Sequence, residues 1–125
     1  MNADQLMRAY EAALATQDWQ IVKPYFHADV CVTFNDGTYK GLVEVAGAFQ
    51  RTFALIKDEQ YRISHLYWAF QNDVTAVCLY NFHWSGLING QPASGGGRGT
   101  SVLINGENGW QIIAEHLGPA APNKE

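Results

Sequence analysis

The sequence has little basic charge and no long apolar run, and both absences narrow the range of functions. Its 125 residues include 8 Lys and Arg against 12 Asp and Glu, a formal net charge of −4, and the basic residues form no run. Nucleic-acid-binding proteins usually cluster basic residues to neutralise phosphates, so we expect no nucleic-acid partner. No apolar run approaches the length of a membrane span, and the N-terminus lacks the basic and apolar regions of a secretory signal. We therefore expect no membrane partner and a cytoplasmic location.

Cysteine and histidine are too few or too scattered to indicate a disulfide framework or a metal site. Cys31 and Cys78 are the only cysteines, and each lies in an apolar, strand-like run where a free thiol behaves as a small hydrophobe. The four histidines show no His-x-x-x-His or His-x-His spacing, the patterns that place two ligands on one face of a helix or strand. We predict no metal and no cofactor.

The chain does have enough apolar sequence to build one domain. Apolar residues make up 47% of it and charged residues 16%, a balance typical of compact folded proteins. A chain of this length can bury a core without disulfides or metals. We predict a single domain over residues 1–118 and a flexible polar tail over 119–125.

Hydrophobic periodicity predicts three helices in the N-terminal half. A capping pair, Asn2 and Gln5, precedes an amphipathic helix. A short second helix is predicted over 19–25, where Pro24 should end or kink it. Apolar residues at steps of three and four predict a long helix over 42–56, which should cover a sheet.

The rest of the sequence is rich in strand signals. The predicted strands and hairpins cover residues 30–34, 61–70, 74–86 and 97–118. The glycine-rich run Gly95–Gly99 is interpreted as part of a flexible hairpin connection. Helices first and antiparallel strands afterwards predict an α+β domain with helices on one face of a curved sheet.

The closing hairpin carries the clearest functional signal. Its two strands flank the turn-forming sequence Asn-Gly-Glu-Asn-Gly, and the second strand ends on the adjacent pair Glu115 and His116. Side chains alternate along a strand, so only one of these two titratable groups can face an internal cavity.

The order of elements and several short motifs resemble the NTF2-like superfamily, which includes the ketosteroid isomerases and SnoaL-like proteins. The matching segments are Tyr10–Leu14, Asp18–Trp19, Phe26–Val30, Gly41–Leu42 and Gly109–His116. The resemblance covers nearly the whole chain. It implies a cone-shaped α+β fold in which three N-terminal helices pack on a strongly curved, mixed or antiparallel sheet.

The resemblance to ketosteroid isomerases assigns a role to Tyr10, but two other catalytic roles fall on residues without a carboxyl group. Tyr10 matches the oxyanion-binding tyrosine of the first helix, whereas the general-base aspartate falls at Phe34 and the protonated aspartic acid falls near Thr100. Proton transfer cannot proceed without the base, so ketosteroid isomerase activity itself is disfavoured. Asn35 or Asp36 could supply the missing group only through a shift of register, and a turn role for Asp36 is favoured.

The same resemblance implies which side chains line the cavity. The residues assigned to its sheet side are Cys78, Tyr80, Phe82, Trp84, Arg98, Thr100, Val102, Ile113, Glu115 and Leu117. Phe53 and His65 complete the substrate-binding set, although a hydrogen-bonded structural role for His65 is favoured. Arg98 and Glu115 could meet as an ion pair on the cavity floor. A slip of one residue would turn His116 inward instead.

These expectations lead to a homodimeric, SnoaL-like protein whose aromatic cavity takes a small, largely apolar ligand. As an enzyme, it would be a cofactor-free isomerase, cyclase or hydrolase with Glu115 or His116 as acid or base and Tyr10 as a donor. The alternatives are a non-catalytic small-molecule binder and an oligomerisation module. The dimer is expected because Leu66, Trp68 and Phe70 would form a second apolar face on the sheet.

Overall fold

The computed structural model describes residues 1–122, beginning with a helix that carries Tyr10 into the core. Helix α1 spans Ala3–Leu14 and starts with a capping box: the Gln5 N–H donates to Asn2 Oδ1, and the Asn2 N–H donates to Gln5 Oε1, both at 2.8 Å. These bonds satisfy amides that the first turn leaves without helical partners. The inward face of α1 buries Tyr10 to 1% exposure.

Two further helices follow, and Pro24 shapes the first of them. Helix α2 spans Trp19–Val22, and a 3₁₀ turn then covers Lys23–Tyr25. The helix predicted over 19–25 is therefore split, because proline lacks the amide hydrogen that an α-helical turn needs. Helix α3 spans Leu42–Leu55, close to its predicted range, and packs on β1 and β2. No helix in the described part of the chain is long and apolar enough to cross a membrane.

Six strands form one mixed sheet. They are β1 (Phe26–Phe34), β2 (Gly37–Lys40), β3 (Lys57–Gln71), β4 (Thr75–Ile88), β5 (Gln91–Gly106) and β6 (Gly109–Pro119). Their order across the sheet is β2-β1-β6-β5-β4-β3; β1 and β6 are parallel, and all other neighbours are antiparallel. Helices and sheet together give the α+β fold that the sequence predicted. Of the predicted tail over 119–125, residues 123–125 lie outside the described residues.

The glycine-rich run predicted as a flexible connection is part of strand β5. Strands β4 and β5 are joined by Asn89 and Gly90, both with positive φ, which suits a tight two-residue hairpin turn. Gly95, Gly97 and Gly99 pair with the three aromatic residues of β4: Trp84, Phe82 and Tyr80. A Cβ on Gly99 would lie 2.3 Å from the Tyr80 ring, and one on Gly95 would lie 2.7 Å from Trp84 Nε1. The glycines leave room for aromatic rings that lie across the strand.

A bulge in β6 changes which side chains face the core. Leu103 pairs with Ile112 and Val102 with Ala114, so one extra residue is inserted between these pairs. As a result Ile112 and Glu115, three positions apart, are both buried on the same side. The predicted inward placement of Ile113 is wrong, whereas that of Glu115 is confirmed.

A bulge in β3 also corrects the predicted second apolar face. The register shifts between Ser64 and Tyr67, and Leu66 and Trp68 pack against the hydrophobic core. Phe70 is exposed, as predicted. The outer sheet surface therefore carries Tyr67 and Leu79 beside Phe70, in place of the predicted Leu66 and Trp68.

Candidate functional site

An open pocket of about 310 Å³ lies between the helices and the inner face of the sheet. We call it the central pocket. Its apolar lining consists of Leu14, Phe34, Phe49, Phe53, Ile56, Tyr61, Phe82, Trp84 and Leu117. Its polar lining consists of Tyr10, Asn35, Asp36, Thr52, Glu59 and Glu115. A largely apolar wall with a few polar groups is typical of small-molecule sites.

Glu115 lies in the wall of the central pocket and is contacted by three hydroxyl groups. The Tyr10 hydroxyl donates to Oε2 at 3.0 Å, while Ser101 Oγ and the Tyr80 hydroxyl lie 3.2 and 3.4 Å from Oε1. Tyr80 and Ser101 are also hydrogen-bonded to each other at 2.8 Å, which uses one of their two hydroxyl protons and leaves the other to be donated to Oε1. Glu115 is only 3% exposed, so its carboxyl has a fixed position with few routes to solvent.

Burial dominates the electrostatics of Glu115. Loss of solvation raises its pKa to about 7, and the hydrogen bonds from Tyr10, Ser101 and Tyr80 oppose that rise. A carboxyl with a pKa near neutrality can hold or release a proton under ordinary conditions, which is the property of a general acid or base.

Tyr10 connects Glu115 to the pocket. Its ring lies edge-on to Phe26, with ring centroids 5.5 Å apart. Burial, followed by the negative charge of Glu115, raises the pKa of Tyr10 well above its usual value. The phenol therefore stays protonated and acts as a hydrogen-bond donor beside the pocket.

Glu59 is a second carboxyl in the pocket wall that the sequence did not reveal. Burial raises its pKa to about 7. Glu59 follows Asp58, which has a φ of 53° and so lies in the left-handed region. This conformation interrupts the alternation of side chains along β3. No spacing or motif signals this geometry, although the glycine opposite the irregularity, Gly86, is visible in the sequence.

The remaining predicted site residues divide between the pocket and other parts of the molecule. Phe53, Phe82 and Trp84 line the pocket. Tyr80 lies behind Glu115 as one of its hydrogen-bond donors. His65 is exposed on the β3 bulge, where Nδ1 lies 3.1 Å from Ser64 Oγ.

Arg98, Thr100 and His116 lie on the outer side of the sheet, away from the pocket. The predicted Arg98–Glu115 pair is not formed: Arg98 is exposed, and its Nε donates to the Pro119 carbonyl at 3.1 Å. Thr100 pairs with His116, which is also exposed, so it is Glu115 that faces inward.

The predicted alternation along β5 is one residue out of step, and a functional side chain was missed as a result. The inward residues are Gly97, Gly99, Ser101 and Leu103. Ser101, fully buried against Glu115, was adjacent to the predicted Thr100.

The two residues proposed to replace the missing isomerase base lie at the pocket edge. Asn35 and Asp36 both line the pocket, and Asp36 belongs to the turn between β1 and β2. Its carboxylate accepts a hydrogen bond of 3.0 Å from the Tyr39 hydroxyl. Within residues 1–122, no group of three or more His, Cys, Asp or Glu side chains is arranged to hold a metal ion.

Comparison with solved structures shows the same architecture in several bacterial proteins. An NTF2-like superfamily protein from Salmonella enterica serovar Typhimurium superposes with a TM-score of 0.88 at 17% identity, covering 96% of this chain and 89% of that one. A provisional dehydratase of the NTF2-like family from Streptomyces avermitilis gives 0.84 at 16% identity, covering 95% and 94%. A provisional calcium/calmodulin-dependent protein kinase II association domain from Xanthomonas campestris gives 0.81 at 21% identity, covering 97% and 86%.

Sequence comparison identifies the family. No curated protein matches the chain. The SnoaL-like domain model matches residues 3–122. This match shows that the chain belongs to the SnoaL-like domain family, and its fold is that of the NTF2-like superfamily protein from Salmonella.

Proposed function

We propose that this protein is a cofactor-free enzyme that transfers protons on a small, largely apolar ligand bearing a carbonyl or hydroxyl oxygen. The reaction would be an isomerisation, cyclisation or related step such as dehydration. One observation carries the proposal: Glu115, with a pKa of about 7, is fixed in the pocket wall by Tyr10, which itself lines the pocket.

The hydrogen bond between Tyr10 and Glu115 supplies a mechanism. When Glu115 is ionised, the single hydroxyl proton of Tyr10 is engaged by Oε2. When Glu115 is protonated on Oε2, the carboxyl can donate to the tyrosine oxygen, and the phenolic proton becomes available to a ligand oxygen. Protonation of Glu115 would thus create a donor aimed at a developing oxyanion.

The apolar wall favours binding of the neutral parts of a ligand and strengthens the hydrogen bond that the Tyr10 hydroxyl can donate. Electrostatic interactions are stronger beside an apolar wall of low dielectric constant than in bulk solvent. The provisional dehydratase among the similar structures is compatible with proton-transfer chemistry on this fold. At 16% identity that likeness concerns the fold alone, so the proposal depends on the site residues.

A ligand screen followed by a proton-exchange assay tests this function. Thermal shift with aromatic ketones, polyketide fragments and small acids should identify stabilising ligands. For such a ligand, we expect Glu115→Gln to abolish proton transfer, with Glu107→Gln in the exposed β5–β6 turn as matched control. Equal turnover by the two variants would contradict the proposal.

A non-catalytic binder is the second candidate, and one observation favours it. In the described residues every buried side-chain nitrogen and oxygen has a hydrogen-bond partner, so the Glu115 network could serve packing alone. An oligomerisation module like the Xanthomonas association domain receives less support, because the pocket is open rather than filled. Stabilisation by ligands without any turnover would favour the binder.

We also propose that the protein is a homodimer. Tyr67 and Phe70 of β3 and Leu79 of β4 are 64%, 53% and 41% exposed on the outer side of the sheet. Tyr67 pairs with Leu79, so their side chains are neighbours on one surface. Large apolar side chains grouped in this way favour self-association of two equivalent surfaces.

A further inference from the structure

The start of β3 is built so that Glu59 faces the central pocket. Lys57 pairs with Leu87 and Gln60 with Ser85, so three steps on β3 oppose two on β4. Asp58, in the left-handed conformation, absorbs the extra residue. A bulge of this kind redirects side chains, and such bulges are common beside active sites.

The residue opposite the bulge must be glycine. A Cβ on Gly86 would lie 2.6 Å from Ile56 Cγ2, 2.8 Å from the Lys57 carbonyl oxygen and 3.3 Å from Glu59 Cα. The first two distances are shorter than real Cβ atoms show, and the second of them is to a backbone oxygen. Gly86 therefore permits the close approach of β3 that carries Glu59.

One side chain holds the backbone on both sides of the bulge. Gln17 Nε2 donates to the Ile56 carbonyl at 2.7 Å, and Gln17 Oε1 accepts from the Glu59 N–H at 3.3 Å. Gln17 lies in the turn after α1 with a φ of 52°. The turn that follows the helix carrying Tyr10 is thus tied directly to Glu59.

The carboxyl of Glu59 differs from that of Glu115 in its freedom. Both carboxyls line the same pocket, but among the described residues the Glu59 carboxyl takes part in no side-chain hydrogen bond or salt bridge, and only the Glu59 backbone N–H is bonded, to Gln17. Tyr61 lies within electrostatic reach of both, since its pKa is raised by burial and then by the charges of Glu115 and Glu59. Glu59 can therefore move toward a ligand, whereas Glu115 is fixed.

We propose that Glu59 is the second acid–base group of the pocket and removes a proton from carbon in a ketone whose oxygen is bound at Tyr10 and Glu115. This inference rests on the proposed function and names its substrate class. The C–H bond next to the carbonyl breaks, its proton moves to the Glu59 carboxylate, and its electron pair forms the enol double bond. The carbonyl oxygen takes a proton from Tyr10, which is replenished from protonated Glu115. Glu59 then returns a proton to the same or another carbon while the enol oxygen gives its proton back to Tyr10, and Tyr10 gives one back to Glu115, which completes exchange or isomerisation.

The test uses 2-tetralone, an aromatic ketone with acidic C–H groups, in D₂O. Exchange of these protons is followed by NMR for the wild type, Glu59→Gln, Glu115→Gln and the control Glu107→Gln. We expect Glu59→Gln to lower the enzyme-dependent rate by about 100-fold or more, the usual contribution of a general base. Its tetralone binding, measured by thermal shift, should change little because the oxygen site is intact. Glu115→Gln should lower both.

The outcomes separate the two proposals. If Glu59→Gln exchanges as fast as the wild type while Glu115→Gln is impaired, Glu59 is not the base and the proposed function stands. If the wild type does not catalyse exchange, or if Glu115→Gln is unaffected, both proposals are contradicted. Should Glu59→Gln fail to fold, Glu59→Ala with added formate replaces it. Recovery of exchange with formate supports the role of Glu59, and lack of recovery in the folded protein opposes it.

Discussion

At the scale of single residues, the properties of Glu115 follow from two opposing effects. Removing a carboxylate from water costs several kcal/mol unless the charge is compensated. The surrounding hydroxyl groups supply part of that compensation, and the remainder appears as a pKa of about 7 against an ordinary 4.5. Full compensation by a cation would have kept the carboxylate permanently ionised, so the absence of Arg98 from the pocket matters chemically.

This raised pKa predicts a loss of stability as the pH increases. Between pH 4.5 and about 7 the folded protein holds a proton on Glu115 that the unfolded chain releases. The contribution of this group is therefore present at low pH and lost as the pH rises through its folded pKa, by about 3 kcal/mol in all. Denaturant unfolding of the wild type and Glu115→Gln at pH 5 and pH 8 should show the variant gaining stability relative to the wild type at the higher pH. A difference that does not change with pH would contradict the assigned pKa.

Tyr10→Phe tests the donor beside Glu115. Removal of the hydroxyl takes away a hydrogen bond that lowers the pKa of Glu115, so that pKa should rise further. Loss of the donor should also weaken binding of a ligand carbonyl by about 1–3 kcal/mol. Carboxyl NMR and titration calorimetry measure the two effects. Unchanged values for both would show that the Tyr10 hydroxyl serves neither group.

At the scale of elements, the pairing of β4 with β5 shapes the pocket floor. Trp84 and Phe82 lie across the glycines of β5 and present their rings to the pocket. Larger residues on β5 would displace those rings. The pocket therefore keeps its size because β5 has glycines, and no larger side chains, opposite these rings.

Gly95→Ala tests this arrangement. The new methyl group would meet the Trp84 ring and push it toward the pocket, with an overpacking cost of about 1–3 kcal/mol. We expect lower stability, an altered tryptophan fluorescence spectrum and weaker binding of bulky ligands. Gly106→Ala is the control, because a Cβ there meets nothing within 4 Å. Equal behaviour of the two variants would refute the proposed contact.

The helices could be predicted from sequence because their apolar spacing is regular, whereas the glycine-rich strand could not. Leu42–Leu55 matches its predicted range within one residue because packing on a sheet requires a continuous apolar stripe. In β5 the inward positions are glycines and Ser101, so no hydrophobic alternation marks the buried face. The prediction consequently placed Arg98 inside.

The candidate site could likewise be predicted only in part from the sequence. Tyr10 and Glu115 could be identified because a helix motif and a strand end placed them without knowledge of distant contacts. Glu59 could not, since its direction depends on the bulge at Asp58 and the close approach of Gly86. The direction of the Glu59 side chain depends on contacts between residues far apart in sequence, and a local pattern does not reveal such contacts.

At the scale of the whole molecule, the outer sheet surface predicts a homodimer. Light scattering should give about twice the 13.9 kDa mass of the chain. Leu79→Lys places a charge in the middle of the apolar surface and should shift the protein toward monomer. Val43→Lys on α3, where Val43 is 89% exposed, should leave the mass unchanged. A monomeric wild type at micromolar concentration would rule out the dimer.

The proposed function depends on one local property of the fold, which keeps the pKa of a carboxyl near 7 inside a largely apolar pocket. Carboxyl-detected NMR of the wild type, with Glu115→Gln used for assignment, measures that property directly. We predict that the Glu115 resonance titrates with a midpoint close to pH 7. A midpoint near 4.5, the ordinary value for glutamate, would show that the group is permanently ionised at neutral pH and would contradict its role as an acid–base catalyst.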